Sequence, residues 1–272
     1  MEEQFWTACS NGNAERVKEL LQSSEIDTNW QDPEHYYFTP LLIASCCGHI
    51  EIVKLLLNDQ RVDVNKEDEY GITPFSIACQ NGRIEIVKLL LNDKRVDINQ
   101  ATNGRITPFY LACSRGHIEI VKLLINNKRI DINQPEGYGG ETPFYVACDN
   151  GHIEIVKYLV NDSRIDINKE ENEGWTPFYN ACNYGEIEIV KYLLASGRDL
   201  NLTNREGETA IDIARERAST EEYDESEEYE ERKEGCQKIV QLLELFEKKT
   251  IETRLQLRIQ LGFTSKFLSF FP

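Results

Sequence analysis

Three residue types in this 272-residue chain are spaced regularly enough to suggest chemistry: cysteine, histidine and glutamate. Cys9, Cys79, Cys113, Cys148 and Cys182 each follow an alanine in the same local context, and Cys46 and Cys47 are adjacent. His49, His117 and His152 each follow a glycine and open the phrase His-Ile-Glu-Ile-Val, which also carries Glu51, Glu119 and Glu154; Glu85 and Glu188 stand in matching phrases. Such residues could ligate zinc, build a thiol–imidazole nucleophile or share acid–base work. The spacing argues against all three. Members of each series lie on successive copies of one element, and packed helices stand ~8–10 Å apart. That exceeds the ~4.4–6.8 Å Cα separation of a disulfide and the ~2.0–2.1 Å of a metal–nitrogen bond. No Cys-x-x-Cys or His-Glu-x-x-His occurs. The cysteines are expected to be small core residues of a reducing compartment, the histidines structural groups at helix N-termini, and the glutamates a solvated ridge. His35 sits in an enlarged loop with no evident partner. Gly137-Tyr138-Gly139-Gly140 is the nearest approach to a phosphate-cradling loop, but it does not open a helix. No catalytic, metal or cofactor site is expected.

The elements that would carry these residues repeat. Thr-Pro pairs begin at Thr39, Thr73, Thr107, Thr142 and Thr176, with a Thr-Ala variant at Thr209. Thr caps a helix, and Pro suits the first helical position, where an N–H would have no partner. Each first helix is expected to end near a glycine such as Gly82, which takes the left-handed cap readily. A second helix follows whose apolar face (Ile84, Ile86, Val87, Leu89, Leu90, Leu91) cannot be left in water. Glu85 and Lys88 face solvent and pair weakly. One such unit cannot enclose its own core, so neighbours must stack into a solenoid.

The pattern resembles the ankyrin repeat. The matching text is Thr-Pro-Phe-Tyr-Leu-Ala-Cys from Thr107, Thr-Pro-Phe-Tyr-Val-Ala-Cys from Thr142, and the Gly-His-Ile-Glu-Ile-Val-Lys-Leu-Leu block from Gly48. The resemblance covers about residues 1–248. It implies an all-α repeat solenoid: about seven stacked helix-turn-helix units, β-hairpin finger loops and a concave face made by the inner helices. The first unit is an N-terminal cap over residues 1–30. Full repeats start near 39, 73, 107, 142 and 176, and a C-terminal cap unit spans 209–248. The loops after most second helices are one residue longer than the family's Gly-Ala-Asp-Val-Asn turn, which survives only as Gly197-Arg198-Asp199-Leu200-Asn201. The family's histidine after Thr-Pro-Leu is replaced by Leu42, Ser76, Tyr110, Tyr145 and Tyr179. Asn180 stands where other copies carry an aliphatic residue, a costly exchange unless it is hydrogen-bonded.

The resemblance also implies where a partner would touch. The pairs before each helix-turn glycine face the groove: Cys46-Cys47, Gln80-Asn81, Ser114-Arg115, Asp149-Asn150 and Asn183-Tyr184. The finger tips contribute Phe38, Ile72, Ile106, Glu141 and Trp175, with Tyr36, Tyr37, Tyr70 and Tyr138 beside them. Apart from Cys46, Cys47 and Glu141, and together with Tyr110, Tyr145 and Tyr179, these are the expected partner-binding residues, since aromatic and arginine side chains dominate binding hot spots. Trp175, Tyr184 and Arg115 are the preferred anchors. The expected function is a non-catalytic protein-interaction module, either an adaptor, a scaffold or an inhibitor. The alternatives are a spacer without a specific ligand, or a regulatory subunit acting through its acidic loop and tail.

The chain carries a net charge of −17, which opposes binding to nucleic acid or anionic membranes. No apolar run reaches the ~20 residues that span a bilayer, and the acidic start lacks a signal-peptide core. A cytoplasmic, intracellular protein, monomeric in isolation, is expected. Two sequons, at Asn161 and Asn201, would then go unused.

Two segments depart from the repeat. Ala214 is followed by its matching glycine only at Gly235, so an insertion occupies about residues 216–234. It is strongly acidic and is expected to be a solvated loop, with Tyr223, Ser226 and Tyr229 as candidate phosphorylation sites. The tail 249–272 is basic. Leu255, Leu257, Ile259 and Leu261 alternate as in a strand, while Ile251, Leu255, Ile259, Phe263, Phe267 and Phe271 recur every fourth residue as in a helix. The tail either docks on the last repeat or presents its aromatics to a partner.

Overall fold

A computed structural model describes residues 1–220 and 226–263. Among the described residues all regular structure is helical, and the fold is an all-α repeat solenoid. The chain divides into two compact units, Met1–Tyr138 and Gly139–Pro272.

The first unit holds α1 (Glu2–Ser10), α2 (Ala14–Leu20), α3 (Pro40–Cys47), α4 (Ile50–Asn58), α5 (Pro74–Gln80), α6 (Ile84–Asn92), α7 (Pro108–Ser114) and α8 (Ile118–Ile125). First helices stack in order, α1 on α3, α3 on α5 and α5 on α7, and second helices follow the same order. The threonine caps form as the sequence dictates: Thr39 Oγ1 accepts the Leu42 N–H at 3.1 Å, and Thr73 makes a reciprocal capping box with Ser76. Gly82 follows α5 with φ +70°, the left-handed conformation that redirects the chain into α6. The core is a row of repeat-equivalent side chains with essentially no exposure, including Ala44, Ala78 and Ala112 from first helices and Leu56, Leu90 and Leu124 from second helices. Lys54–Glu51, Lys88–Glu85 and Lys122–Glu119 pair at 2.6–2.8 Å along the exposed ridge, each worth only ~0.2–0.5 kcal/mol.

The second unit holds α9 (Pro143–Asp149), α10 (Ile153–Leu159), α11 (Pro177–Asn183), α12 (Ile187–Ser196), α13 (Ala210–Ser219), α14 (Glu227–Lys248) and α15 (Thr250–Gln260). Its end departs from expectation. The acidic insertion is largely helical where described: α13 continues to Ser219 and α14 begins at Glu227. Ser226 caps α14, its hydroxyl accepting the Tyr229 N–H. Gly235, expected at a helix turn, lies inside α14. A Cβ there would collide with the carbonyl of Gly185, so this glycine is required by a backbone-to-backbone crossing.

The segment after Lys249 is a helix rather than a strand. It packs on α12 and α14, where Arg254 Nε donates to the Leu194 carbonyl at 3.2 Å and the Tyr192 and Phe263 rings lie 4.9 Å apart. The alternating leucines and isoleucines are therefore split, with Leu257 buried and Leu255 and Ile259 exposed. Phe267, Leu268, Phe270 and Phe271 lie outside the described residues. The fingers are turns stapled by side chains. Their only strand-like pairings among the described residues are single bridges, Asp32–Phe38 and Thr203–Thr209.

Candidate interaction surface

Each finger is built on an acceptor side chain that bonds the backbone just ahead of it, the turn chemistry Asp and Asn are suited to. Asp32 Oδ1 accepts the Glu34 N–H, Asp68 Oδ1 accepts those of Tyr70 and Ile72, and Glu171 accepts those of Glu173 and Trp175, all at 2.7–2.9 Å. In the first finger His35 Nδ1 closes on Asp32 Oδ2 at 2.8 Å and its ring stacks on Trp6 at 4.8 Å. The partner of this histidine is thus found in its own loop. In the second finger no donor meets Asp68 Oδ2, although Asp68 is only 6% exposed. Burial pushes its carboxyl above the ordinary range, and the neighbouring Glu69 and Glu67 add to the rise.

Neighbouring fingers are joined by a row of amides. Asn29, Asn65 and Asn99 donate to the carbonyls of Arg61, Arg95 and Arg129 in the next repeat. Their oxygens accept the N–H groups of Asp63, Asp97 and Asp131. Asn168 joins Asp199 and Asn201 alike. The longer loops also place Arg61 on Asp59 and Arg95 on Asp93, each at 2.6 Å. The guanidinium lowers the aspartate's pKa in both.

The tips present aromatic rings. Tyr36, Tyr37, Tyr70 and Tyr138 are exposed. Tyr36 and Tyr37 both hold positive φ, 53° and 58°, which costs ~1–2 kcal/mol for each non-glycine residue. The Tyr36 and Tyr70 rings lie 6.2 Å apart. Glu69, first among several causes, raises the Tyr70 phenol, a sign of negative potential at that ring. Phe38, Ile72, Ile106 and Trp175 are half-buried. The Phe38 carbonyl holds the Trp6 indole N–H at 2.8 Å, and Trp175 packs against Tyr179 with centroids 5.6 Å apart.

A second set of positions lines the helix turns. Arg115, Asn150 and Tyr184 are exposed, while Gln80, Asn81, Ser114 and Asp149 are half-buried. The residue opening each second helix lies over the preceding repeat's turn glycine: His49 over Gly12, Arg83 over Gly48, His117 over Gly82 and Glu186 over Gly151. The first three also contact the carbonyl two residues before that glycine, on Ser10, Cys46 and Gln80, at 2.9–3.1 Å. Glu186 makes no such bond. Burial raises its carboxyl, with the Asp149 charge adding to the effect. At the next turn Arg232 of α14 donates to the Asn183 carbonyl at 3.2 Å, its guanidinium 4.2 Å from the Tyr184 ring centroid. Asp149, Asn150, Tyr184, Glu186, Glu231 and Arg232 border a cavity of about 560 Å³.

Several expected partner-facing residues are inside the protein. Tyr110, Tyr145, Tyr179 and Asn183 are buried. They sit on the first helices α7, α9 and α11. The Tyr179 hydroxyl bonds Glu208 at 3.1 Å, and Asn183 Oδ1 accepts from Arg217 at 2.8 Å. Asn180, also buried, donates to Asp149 Oδ1 at 2.6 Å, which satisfies the polar group in the core. Of the candidate modification sites, Tyr229 donates its hydroxyl to the Thr220 carbonyl at 2.7 Å. Ser226 is exposed as a helix cap, and Tyr223 lies outside the described residues. The carboxylates Glu34, Glu67 and Glu69 around the tyrosine tips were missed from sequence, because the acidic residues read as general solubility.

Among the described residues no cluster of histidine, cysteine and carboxylate side chains is arranged to hold a metal, and no helix is long and apolar enough to cross a membrane. No curated protein matches the chain. Two family models do. One, described as ankyrin repeats in three copies, matches residues 5–102 and 94–171, and another, ankyrin repeats in many copies, matches residues 160–214. Repeats of this kind are in general protein–protein interaction modules. With matches running from residue 5 to residue 214 over stacked, threonine-capped helix pairs, the chain belongs to the ankyrin-repeat family.

Proposed function

We propose that the chain is a non-catalytic, intracellular protein-binding module, working as an adaptor, scaffold or inhibitor. Its finger tips and exposed helix-turn positions would be the contact residues. The observation that carries this reading is the row of exposed aromatic residues held on stapled turns above a closed core: Tyr36, Tyr37, Tyr70 and Tyr138. Rigid aromatic side chains supply contact area at low entropic cost. Each unit would add its own exposed helix-turn positions, Arg115 in the first and Asn150 and Tyr184 in the second. Tyr110, Tyr145, Tyr179 and Asn183 support the stack instead.

Cross-linking mass spectrometry in native cells, followed by pull-down with surface variants, tests the reading. A recovered partner should be lost when Tyr36, Tyr70, Tyr138 and Tyr184 are changed to alanine together. Retention of every recovered partner by that variant would favour a spacer with no specific ligand.

A further inference from the structure

The exposed tyrosines of the first two fingers stand on strongly acidic loops. Residues 31–38 and 66–72 contain the acids Asp32, Glu34, Glu67, Asp68 and Glu69 against a single lysine, Lys66. Asp32 already has the His35 imidazole. Glu34, Glu67 and Glu69 are exposed on the same two loops, Glu69 acts directly on the Tyr70 phenol, and Glu67 accepts from the Gln100 amide. Asp68 Oδ1 accepts the Tyr70 backbone N–H at 2.9 Å, and its second oxygen is buried without a donor. A buried carboxylate half-satisfied in this way leaves its charge uncompensated. The position three residues after Asp32 is His35, whereas the position three residues after Asp68 is Gly71, which has no side chain to offer. The two fingers together therefore set the paired Tyr36 and Tyr70 rings beside a charge that the chain does not neutralise.

We propose that the tyrosines Tyr36, Tyr37 and Tyr70, with Glu34, Glu67, Asp68 and Glu69 of the same two loops, dock an arginine-rich segment of the partner protein. The proposal rests on the interaction reading above and names the chemistry of its partner. Arginine fits better than lysine because a planar guanidinium stacks on a tyrosine face while forking onto a carboxylate. The chain displays the first half of that arrangement in its second unit, where the Arg232 guanidinium lies 4.2 Å from the Tyr184 ring centroid while donating to a carbonyl. Glu69 raising the Tyr70 phenol reports the same negative potential at the ring.

A fluorescein-labelled peptide of alternating arginine and glycine, titrated by polarisation against the full chain at about 0.15 M salt, tests this. Wild type should bind it at least about tenfold more tightly than the lysine–glycine counterpart. Tyr36→Ala with Tyr70→Ala should weaken binding about tenfold or more, with the melting temperature unchanged because both rings are exposed. Asp68→Asn keeps the turn acceptor and removes the charge, and should weaken binding severalfold. Glu85→Gln with Glu119→Gln, on the exposed faces of α6 and α8, should leave it unchanged. No binding by wild type, equal binding of the two peptides, or equal loss with the ridge variant would overturn the proposal, the last two by showing attraction to net charge alone. If the peptide fails while a native partner is still lost with Tyr36→Ala and Tyr70→Ala, the arginine assignment falls and the interaction reading stands.

Discussion

The Glu186 carboxyl lies over Gly151 in the place where the His117 imidazole lies over Gly82. The imidazole contacts the Gln80 carbonyl at 2.9 Å, whereas an ionised carboxylate has no proton to donate to the equivalent carbonyl of Asp149. Burial and the Asp149 charge raise the Glu186 pKa, so the folded chain holds this proton to higher pH than the unfolded chain does. Stability is therefore unaffected below the ordinary value of 4.5 and is lost as pH rises through the raised one. Glu186→Gln should remove that loss, and Glu186→His should restore a donor worth about 1 kcal/mol. Thermal melts at about pH 4 and about pH 7 check this: the gain of both variants over wild type should be larger at the higher pH. An equal or lower melting temperature for Glu186→Gln at neutral pH contradicts it.

The crossing of α14 over the α11–α12 turn leaves no room at Gly235. In an open helix Gly→Ala gains ~1 kcal/mol, but here the new methyl meets the Gly185 carbonyl. Overpacking of this kind costs ~1–3 kcal/mol, so Gly235→Ala should destabilise the protein. Hydrogen exchange should show α14 opening first, since the clash is confined to that crossing. A stabilised Gly235→Ala variant would show that the helices do not approach so closely.

Thiol labelling should separate the cysteines by burial. Cys47 is exposed and Cys46 half-buried, while Cys9, Cys79, Cys113, Cys148, Cys182 and Cys236 are buried. Desolvation raises the thiol pKa of each buried one, which removes the reactive thiolate at neutral pH. Iodoacetamide under native conditions should modify Cys47 first and Cys46 slowly. Modification of the other six should await unfolding, as peptide mapping would reveal.

Removing residues 250–272 should lower the melting temperature by several degrees. The truncation strips Arg254 from the Leu194 carbonyl and Phe263 from Tyr192, and uncovers α12. An unchanged melt would mean that α15 contributes nothing to the second unit.

Much of the fold was legible because it depends on local spacing. Thr-Pro openings, glycine turns and the Ile-Glu-Ile-Val face each constrain backbone that is a few residues away, and they locate α3 to α12 closely. The C-terminal end was not, because its helix boundaries follow from packing. Nothing local distinguishes Gly235 as a crossing point from Gly235 as a turn, and only the approach to Gly185 decides. The alternating Leu255, Leu257 and Ile259 fit two periods equally, and the docking of α15 on α12 selected one. At the candidate surface, exposure of Tyr36, Tyr37 and Tyr70 was readable from the enlarged loop and the finger positions. Tyr179 misled because its position sits at the first helix's edge, where burial depends on Glu208 from the following repeat.

The amide row of Asn29, Asn65 and Asn99 makes each repeat's attachment a matter for its immediate neighbour alone. Within this unit an extra cassette of about one repeat length could be spliced in and would find its clasps ready on both sides. A lesion in one clasp would loosen a single seam and leave more distant ones fastened. Gene duplication could lengthen such a chain without redesigning it.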